Sequence, residues 1–269
     1  MGRGRWTVVL LLGLLYLTGC GEEPEARQPE WTLVQETAAV LSDGERVALW
    51  HTDEDSYNVY RLSDGTDLLV VGGPDALNSV TVPGGFSSLP TETQRRVQLY
   101  FDEQGTLYNV QDELEAAYAD FKETQSAEQP WEARRIEQET RLVAESDRMA
   151  SFYTTLSLDG TPLQDYRLGT VFDRESGKRL DLWSLFTVSQ ETAMERLIEG
   201  GGVTDPGLYA SLAAALQPER VVFFDDCVGV YFTKELLGND EGYEFTVGYS
   251  ELADVLESWA VPDGALEGE

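Results

Sequence analysis

Cysteine and histidine are scarce in this chain of 269 residues, which contains two cysteines and a single histidine. Zinc sites are usually built from several Cys and His side chains, so this composition argues against one. A nucleophile and base pair would have to join Cys227 to His51. Cys227 lies in the apolar run VVFFDDCVGVYF, however, and is expected to be a buried small hydrophobe. We predict no catalytic residue, no metal and no cofactor, because the motifs H-E-x-x-H, G-x-S-x-G and S-x-x-K are absent as well.

Basic side chains are also few, with 19 Lys and Arg against 49 Asp and Glu, and the formal net charge is −30. Nucleic-acid binding needs a basic surface, so we predict no nucleic-acid partner. The same charge disfavours direct adhesion to anionic lipid or wall polymer, and it favours a cationic partner. A surface that is acidic only for solubility is an equally open interpretation at this stage.

Long hydrophobic runs are missing apart from residues 7–17 (TVVLLLGLLYL), which follow Arg3 and Arg5. This run is too short for a comfortable membrane span, which needs about 20 residues, and its size is typical of a secretory signal. It ends in LTGC, residues 17–20, which resembles the lipobox of bacterial lipoproteins. The resemblance implies that Cys20 carries a palmitate-type diacyl group and becomes the mature N-terminus. The protein would then be held by lipid on the extracytoplasmic face of the cell membrane.

Two alternatives to lipidation stay open: an ordinary secretory signal with an incidental cysteine, and an uncleaved anchor helix. Residues 21–30 (GEEPEARQPE) have no large apolar side chain, so they favour a solvated tether behind Cys20. Two acyl chains are enough for stable anchoring. Loss of Arg3 and Arg5 with the signal would make the net charge more negative by two.

The folded part begins with patterns typical of strands. The short runs 46–51, 57–62 and 67–72 are separated by turn residues and predict an antiparallel meander, with a fourth short strand at 79–85. Apolar residues then recur at helical spacing over 90–122. Gly105 lies in one wide step of that pattern, which leaves open one long helix or two collinear pieces.

The second half of the chain alternates strands and short helices. We predict a hairpin from 133–146 and 150–160, a strand with a turn within 167–186, and helices over 189–202 and 205–218. A strand pair over 220–225 and 227–233, a last strand at 243–249 and a closing helix at 250–260 capped by Ser250 complete the prediction.

These elements predict an α+β fold in which antiparallel sheets pack with one long and several short helices, in two intimately packed modules. The expected organisation is a lipoprotein signal peptide at 1–19, a flexible tether at 20–30, a first module at 31–160, a second module at 161–260 and a loose tail at 261–269.

Three segments carry a resemblance to a known family. Residues 170–187 (TVFDRESGKRLDLWSLFT) are the most specific, and 80–101 and 223–256 match in pattern and order. Together they resemble the extracytoplasmic module pair of the RsiV-like family, the lysozyme-sensing anti-sigma factors. Residues 159–162 (DGTP) lack the histidine that the family often has there, so no role of that histidine carries over. No cytoplasmic sigma-binding segment is expected either, because the residues before Cys20 form the signal.

The resemblance implies a non-catalytic binding or sensing module at the cell envelope, for a basic protein such as lysozyme or for a cell-wall ligand. The alternative is a peptidoglycan-directed hydrolase or an accessory to a wall-modifying enzyme, because related modules accompany deacetylase domains. Aromatic and acidic residues form two further candidate sites. Trp50, Tyr57, Tyr60, Phe152 and Tyr153 would stack on sugar if they shared a face, although strand aromatics are more often core. The acidic runs 53–55 and 239–241 lack the spacing of a calcium loop.

Overall fold

The structure, a computed structural model, describes residues 31–52, 57–72 and 86–266. Within these residues it has the α+β composition that the sequence predicts. The strands are β1 Trp31–Val40, β2 Arg46–Thr52, β3 Tyr57–Leu62, β4 Asp67–Gly72, β5 Arg134–Glu145, β6 Met149–Leu158, β7 Thr161–Pro162, β8 Leu168–Asp173, β9 Val221–Phe223, β10 Cys227–Phe232 and β11 Tyr243–Gly248. The α-helices are α1 Thr91–Gln104, α2 Val110–Ser126, α3 Gln190–Gly200, α4 Pro206–Ala215, α5 Lys234–Leu237 and α6 Tyr249–Leu252.

An eight-stranded sheet runs in the order β1-β2-β3-β4-β5-β6-β7, and β8 also pairs with β6. The predicted meander is confirmed by β2, β3 and β4, which pair in sequence as antiparallel neighbours. The pair β4–β5 is parallel because α1 and α2 connect the two strands and return the chain to the same end of the sheet. The expected boundary at 160 and 161 lies inside this sheet, since β6 and β8 are hydrogen-bonded to each other.

The helical pattern over 90–122 forms two helices, with the break at the predicted glycine. Gly105 has a φ of 70° and ends α1 by donating its N–H to the Phe101 carbonyl. Asn109 begins α2, since its side chain accepts hydrogen bonds from the N–H groups of Gln111 and Asp112. The polar cap and the permissive glycine together favour two helices over one at this point.

Both helices cover one face of the large sheet, called here the helix face. Leu114, Ala117 and Phe121 of α2 pack with Val71 and Ile136 of β4 and β5. Further along the sheet, α1 covers β6 and β8 through a cluster of rings and aliphatic side chains, which comprises Phe86, Leu89, Val97, Phe101, Ala150, Phe152 and Phe172. The even-numbered residues of β6 and β8 point to this face because successive strand side chains alternate.

The opposite face of β6 and β8 is covered by the C-terminal layer, defined here as residues 189–266. Its three-stranded sheet has the order β11-β10-β9. Met149 and Val171 of the large sheet belong to the same core as Phe223, Val230 and Tyr249 of this layer. Strands β6 and β8 are therefore buried between α1 on one side and the C-terminal layer on the other.

The closing helix predicted for 250–260 is wrong. The chain has a single helical turn, Tyr249–Leu252, that follows Gly248 rather than a Ser250 cap, and later a short 3-10 turn at Ser258–Ala260. After this first turn, two backbone bonds to the segment before α3 take the place of a continued helix. Thr187 donates its N–H to the Val255 carbonyl, and Glu257 donates to the Leu185 carbonyl. Tertiary pairing thus overrides the local helical pattern.

Residues 261–266, which we expected to be loose, contribute Val261 and Ala265 to the edge of the C-terminal core. The strand expected at 79–85 lies outside the described residues, as do the signal, the tether and Cys20. None of the helices formed by residues 31–52, 57–72 and 86–266 is long and apolar enough to cross a membrane.

Candidate functional site

Two adjoining cavities lie where α1 ends, β8 begins and the chain leaves β8 toward α3. Gly169, Thr170, Arg179 and Glu219 line both of them. The inner cavity has a volume of about 440 Å³ on the helix face of the sheet. The edge cavity has a volume of about 300 Å³ and lies beside the outer edge of β8. Together we call them the β8 cleft.

The inner cavity has an apolar lining with a few fixed polar groups. Tyr100, Phe101 and Leu107 supply the apolar part. Gln138 of β5 is buried, and its side-chain amide accepts a hydrogen bond from the Leu107 N–H and donates one to the Gly105 carbonyl. This amide ties the connection between α1 and α2 to the sheet, so the rim of the cavity is held by satisfied hydrogen bonds.

The edge cavity exists because a hairpin opens away from β8. Leu180 donates its N–H to the Val171 carbonyl, and Asp173 donates to the Lys178 carbonyl, both at 2.8 Å. Beyond Leu180 the chain turns away into a 3-10 helix, Leu182–Leu185, which Asp181 caps by accepting from the Trp183 N–H. Among residues 31–52, 57–72 and 86–266, no strand neighbours the start of β8 on this side, where it borders the cavity.

Gly169 brings β8 close to the C-terminal layer. A Cβ atom at this position would collide with the carbonyl oxygen of Val221, the first residue of β9. An isolated glycine within a strand often marks such a close backbone approach, so the sequence carried a signal for this contact. Arg220 stabilises the same junction, because its guanidinium donates hydrogen bonds to the carbonyls of Asp165 and Arg167.

The charges at the cleft are mixed. The Arg179 guanidinium lies 5.8 Å from the ring centre of Tyr100, within the range of a cation–π contact. Asp181 and Glu219 are exposed carboxylates on the walls of the edge cavity. Arg179, Asp181 and Glu219 were not predicted as a group from the sequence, because they become neighbours only through the pairing of β8 and the return of the chain at 218–220.

Around the turn that follows β8, carboxylates are held ionised by specific donors. Burial pushes the pKa of Asp173 upward, but hydrogen bonds from the Ser176 side chain and backbone outweigh it, so the pKa of Asp173 is lowered. Glu92 on α1 accepts hydrogen bonds from Arg95 and Arg96, which lower its pKa to about 2. The Arg96 guanidinium also donates to the Ser176 carbonyl and so joins α1 to this turn.

The candidate catalytic pair of Cys227 and His51 is divided between two sheets. His51 lies in β2, and its Nδ1 is 3.0 Å from the Asn58 side-chain oxygen. Cys227 begins β10 and is half-buried, so it is less enclosed than its apolar neighbours predict. Burial and a hydrogen bond with Asp226 raise the pKa of its thiol to about 11, which is opposite to the shift that activates a cysteine nucleophile.

Asp225 and Asp226 form the turn between β9 and β10 rather than part of a strand. The turn is closed by the Phe224 N–H, which donates to the Cys227 carbonyl. Both side chains are exposed. Desolvation, together with the charges of Asp226 and Glu145, raises the pKa of Asp225. Neither residue lines the β8 cleft.

The aromatic residues considered for sugar stacking are not brought together. Trp50 and Tyr57 point to the face of the meander opposite α2, whereas Tyr60 packs on the helix-face core. Phe152 is completely buried under α1. Tyr153 packs against Phe224 and Tyr231 of the C-terminal layer, with ring centres 5.3 and 6.0 Å away.

Acidic side chains dominate the C-terminal layer. Residues 189–266 contain fifteen Asp and Glu against the three basic residues Arg196, Arg220 and Lys234, and every acid except Glu257 is exposed. Arg196 is already paired with Asp254. Across the described residues, no group of three or more His, Cys, Asp or Glu side chains has the geometry to hold a metal ion.

One helix of this layer carries a regular acidic ridge, which comprises Glu191, Glu195 and Glu199. These residues are four apart along α3 and exposed, so they project from one side of the helix. The opposite side is buried through Ala193, Leu197 and Ile198. Burial, followed by the charges of Glu195 and Glu199, raises the pKa of Tyr209 on the neighbouring helix α4.

No protein-family model matches the chain. No curated protein matches it either. Among solved structures, the chain is similar to a member of the DUF3298 family from Bacteroides fragilis, at 14% identity over 86% of this chain and 95% of that one, with a TM-score of 0.36. It is also similar to a DUF3298 family protein from Pseudomonas aeruginosa, at 12% identity over 87% of this chain and 97% of that one, with a TM-score of 0.30.

Proposed function

We propose that this chain is a lipid-anchored extracytoplasmic lipoprotein whose folded part binds a basic protein at the cell envelope without catalysis. The observation that carries the proposal is the acidic surface of the C-terminal layer, which has fourteen exposed carboxylates and three basic side chains. Two of those three basic groups are already engaged, Arg196 with Asp254 and Arg220 with backbone carbonyls. Most of the negative charge is therefore left for a partner.

The acidic ridge on α3 supports this choice over an acidity that serves solubility alone. Like charges four residues apart on a helix destabilise it by about 0.2–0.5 kcal/mol per pair. Glu191, Glu195 and Glu199 form two such pairs on one helix. Acidity that serves solubility alone would not require this repulsion, because the same charges could lie apart at other exposed positions. A concentrated field of one sign speeds the encounter with a partner of opposite sign and is screened by salt.

The family resemblance supports the same class of function. Residues 170–187, its most specific segment, form β8, the turn at Gly177 and the 3-10 helix behind the edge cavity. They therefore include several walls of the β8 cleft. The RsiV-like family that they resemble recognises lysozyme, a strongly basic protein.

Binding of hen lysozyme to the lipidated full-length chain tests the proposal. We expect retention at low ionic strength and loss at about 0.5 M salt, since exposed charges are screened over a few ångströms there. Reversal of the ridge by Glu191→Lys, Glu195→Lys and Glu199→Lys should weaken binding at least tenfold. The matched control reverses three exposed acids elsewhere, Glu103→Lys, Glu123→Lys and Glu132→Lys. Equal loss in both variants, or no binding of wild type at low salt, contradicts a specific acidic surface.

The anchor is tested separately. Cys20→Ser should release the protein from membranes or leave it unprocessed, and globomycin should block processing of the wild type. A Cys20→Ser protein that is processed normally and stays in the membrane fraction would contradict lipidation.

A further inference from the structure

The outer edge of β8 presents backbone groups that no strand formed by the described residues covers. The bonds from Leu180 to Val171 and from Asp173 to Lys178 show that odd-numbered residues of β8 direct their N–H and C=O groups away from β6. The N–H of Val171 and the N–H and C=O of Gly169 therefore also point away from β6. They lie at the start of β8, before the Val171 carbonyl and the Asp173 N–H, which bond to the hairpin. Within the described part of the chain, no other backbone group bonds to them from that side.

These backbone groups belong to buried residues that border a cavity. Gly169 and Val171 are buried residues, yet both border the edge cavity. A buried backbone donor or acceptor costs free energy unless water, protein or a ligand supplies its partner. An exposed strand edge in a cavity is the geometry in which an extended peptide adds as a further strand.

The two cavities match the alternation of side chains along such a strand. A residue of the added strand opposite Thr170 points to the helix face, where Tyr100, Phe101 and Leu107 line the inner cavity. A residue opposite Gly169 points to the other side, next to the edge cavity, whose lining includes Asp181 and Glu219, and Glu219 borders the inner cavity as well. Arg179 on the helix face is already placed over Tyr100, whereas Asp181 and Glu219 are exposed carboxylates. The cleft thus fits an apolar side chain next to a basic one.

We propose that the β8 cleft binds an extended peptide segment of a partner protein by β-strand addition to Gly169 and Val171, with an apolar side chain in the inner cavity and an adjacent basic side chain at Glu219 and Asp181. This deepens the function proposed above and rests on it, since the segment would belong to the basic partner.

A peptide with blocked ends, acetyl-Thr-Val-Phe-Lys-Val-Thr-amide, tests the backbone contact directly. We expect the full-length protein to bind it and to protect the amides of Gly169 and Val171 from hydrogen exchange. Methylation of single peptide nitrogens should abolish binding at alternate positions and leave the positions between them unaffected, because only every second N–H faces the edge. No binding at millimolar peptide, or equal effects at all positions, would overturn the proposal.

Variants locate the binding on the protein. Thr170→Trp should fill the mouth of the inner cavity and weaken peptide binding at least tenfold, while Thr246→Trp on exposed β11 should not. Glu219→Lys should weaken it similarly, and Glu235→Lys should not. Unaltered binding in both cleft variants refutes the site, and the second pair keeps the test valid if a tryptophan variant fails to fold.

The outcomes for lysozyme and for the peptide are independent. Salt-sensitive lysozyme binding without peptide binding leaves the proposed function standing and removes the strand-addition site. Peptide binding with the alternating pattern, but without lysozyme binding, keeps the site and removes the basic protein as the partner.

Discussion

The two ends of the eight-stranded sheet are covered to different extents. In β6 the residues Met149 to Phe152 are all buried, because α1 covers one face and the C-terminal layer covers the other. In β2 the burial alternates near the strand start, since only the helix face is covered by α2. At the far edge, β1 is mostly exposed, with Leu33 and Val34 more than 40% accessible.

The doubly covered end of the sheet therefore supports the stability of the fold, whereas the singly covered end exposes side chains on its open face. The doubly covered end contains the ring cluster and the β8 cleft, so the walls of the cleft rest on the most densely buried strands. At the singly covered end the open face carries mixed aromatic and charged groups. The guanidinium of Arg61 there lies 5.6 Å from the Trp31 ring centre and 5.3 Å from that of Trp50. Substitutions at the doubly covered end should therefore lower the free energy of unfolding more than comparable substitutions at the singly covered end.

The largest expected effect is the loss of the central ring at the doubly covered end. Phe152 is completely buried, with ring centres of Phe86, Phe101 and Phe172 within 5.8 Å. Phe152→Ala should lower the free energy of unfolding by about 3–5 kcal/mol, through lost burial and a residual cavity. Urea denaturation measures this loss.

Trp50→Ala is the matched change at the singly covered end. Trp50 is only half-buried, so about 1 kcal/mol should be lost, including its contact with Arg61. Comparable losses for Phe152→Ala and Trp50→Ala would contradict the difference between the two ends.

The next largest effect is expected at the close contact between Gly169 of β8 and Val221 of the C-terminal layer, called here the seam. Gly169→Ala places a methyl group on the Val221 carbonyl, so the backbones must separate. We expect a loss of about 1–3 kcal/mol, typical of overpacking. Thr170→Ala, one residue along and facing the other way, should cost less than about 1 kcal/mol. Thermal unfolding of both variants compares them, and a neutral Gly169→Ala would show that the seam yields easily.

Much of the fold followed from local patterns. Alternation and turn chemistry predicted the meander and the hairpin of β5 and β6. The helix predicted from residue 189 is present as α3, which Ser189 caps by accepting from the Thr192 N–H. These features depend on neighbouring residues, so the sequence contains their cause. The break at Gly105 belongs to the same class.

Long-range contacts account for what local patterns missed. The segment after Leu252 has helical apolar spacing, yet the Val255 carbonyl accepts from Thr187 and the Glu257 N–H donates to Leu185, in both cases about seventy residues earlier. The β8 cleft depends on three separate stretches, near residues 100, 170 and 219, that only the pairing of β6 with β8 brings together. Gly169 was the one local signal for that junction, because a strand glycine has no side chain to pack.

A smaller effect is expected from a single hydroxyl in each region. Tyr249 is 1% exposed, and its hydroxyl donates a 2.7 Å hydrogen bond to the Phe224 carbonyl. Tyr249→Phe should cost about 1 kcal/mol, since the carbonyl of half-buried Phe224 loses this donor. Tyr57→Phe removes a hydroxyl that accepts from exposed Arg135, and should cost less than about 0.5 kcal/mol. Denaturant midpoints distinguish the two, and a reversed order would contradict the burial difference.

The smallest effect on stability is expected from the thiol at the tip of the C-terminal layer. Burial and Asp226 raise the pKa of Cys227 from 9.0 to about 11, so its neutral form is favoured in the folded state. A raised folded pKa contributes stability that is complete below pH 9 and is lost as the pH rises through 11. The titration of this thiol should therefore cause no change of stability with pH around pH 7. At pH 8, however, alkylation by iodoacetamide should be about tenfold slower in the native protein than in urea, because the reactive thiolate is rarer and its higher nucleophilicity offsets only part of that loss. The measurement uses Cys20→Ser, so that Cys227 is the only thiol, and Asp226→Asn should speed native labelling. Identical native and denatured rates, or an Asp226→Asn variant that labels no faster, would show that the carboxylate and the partial burial do not control this cysteine.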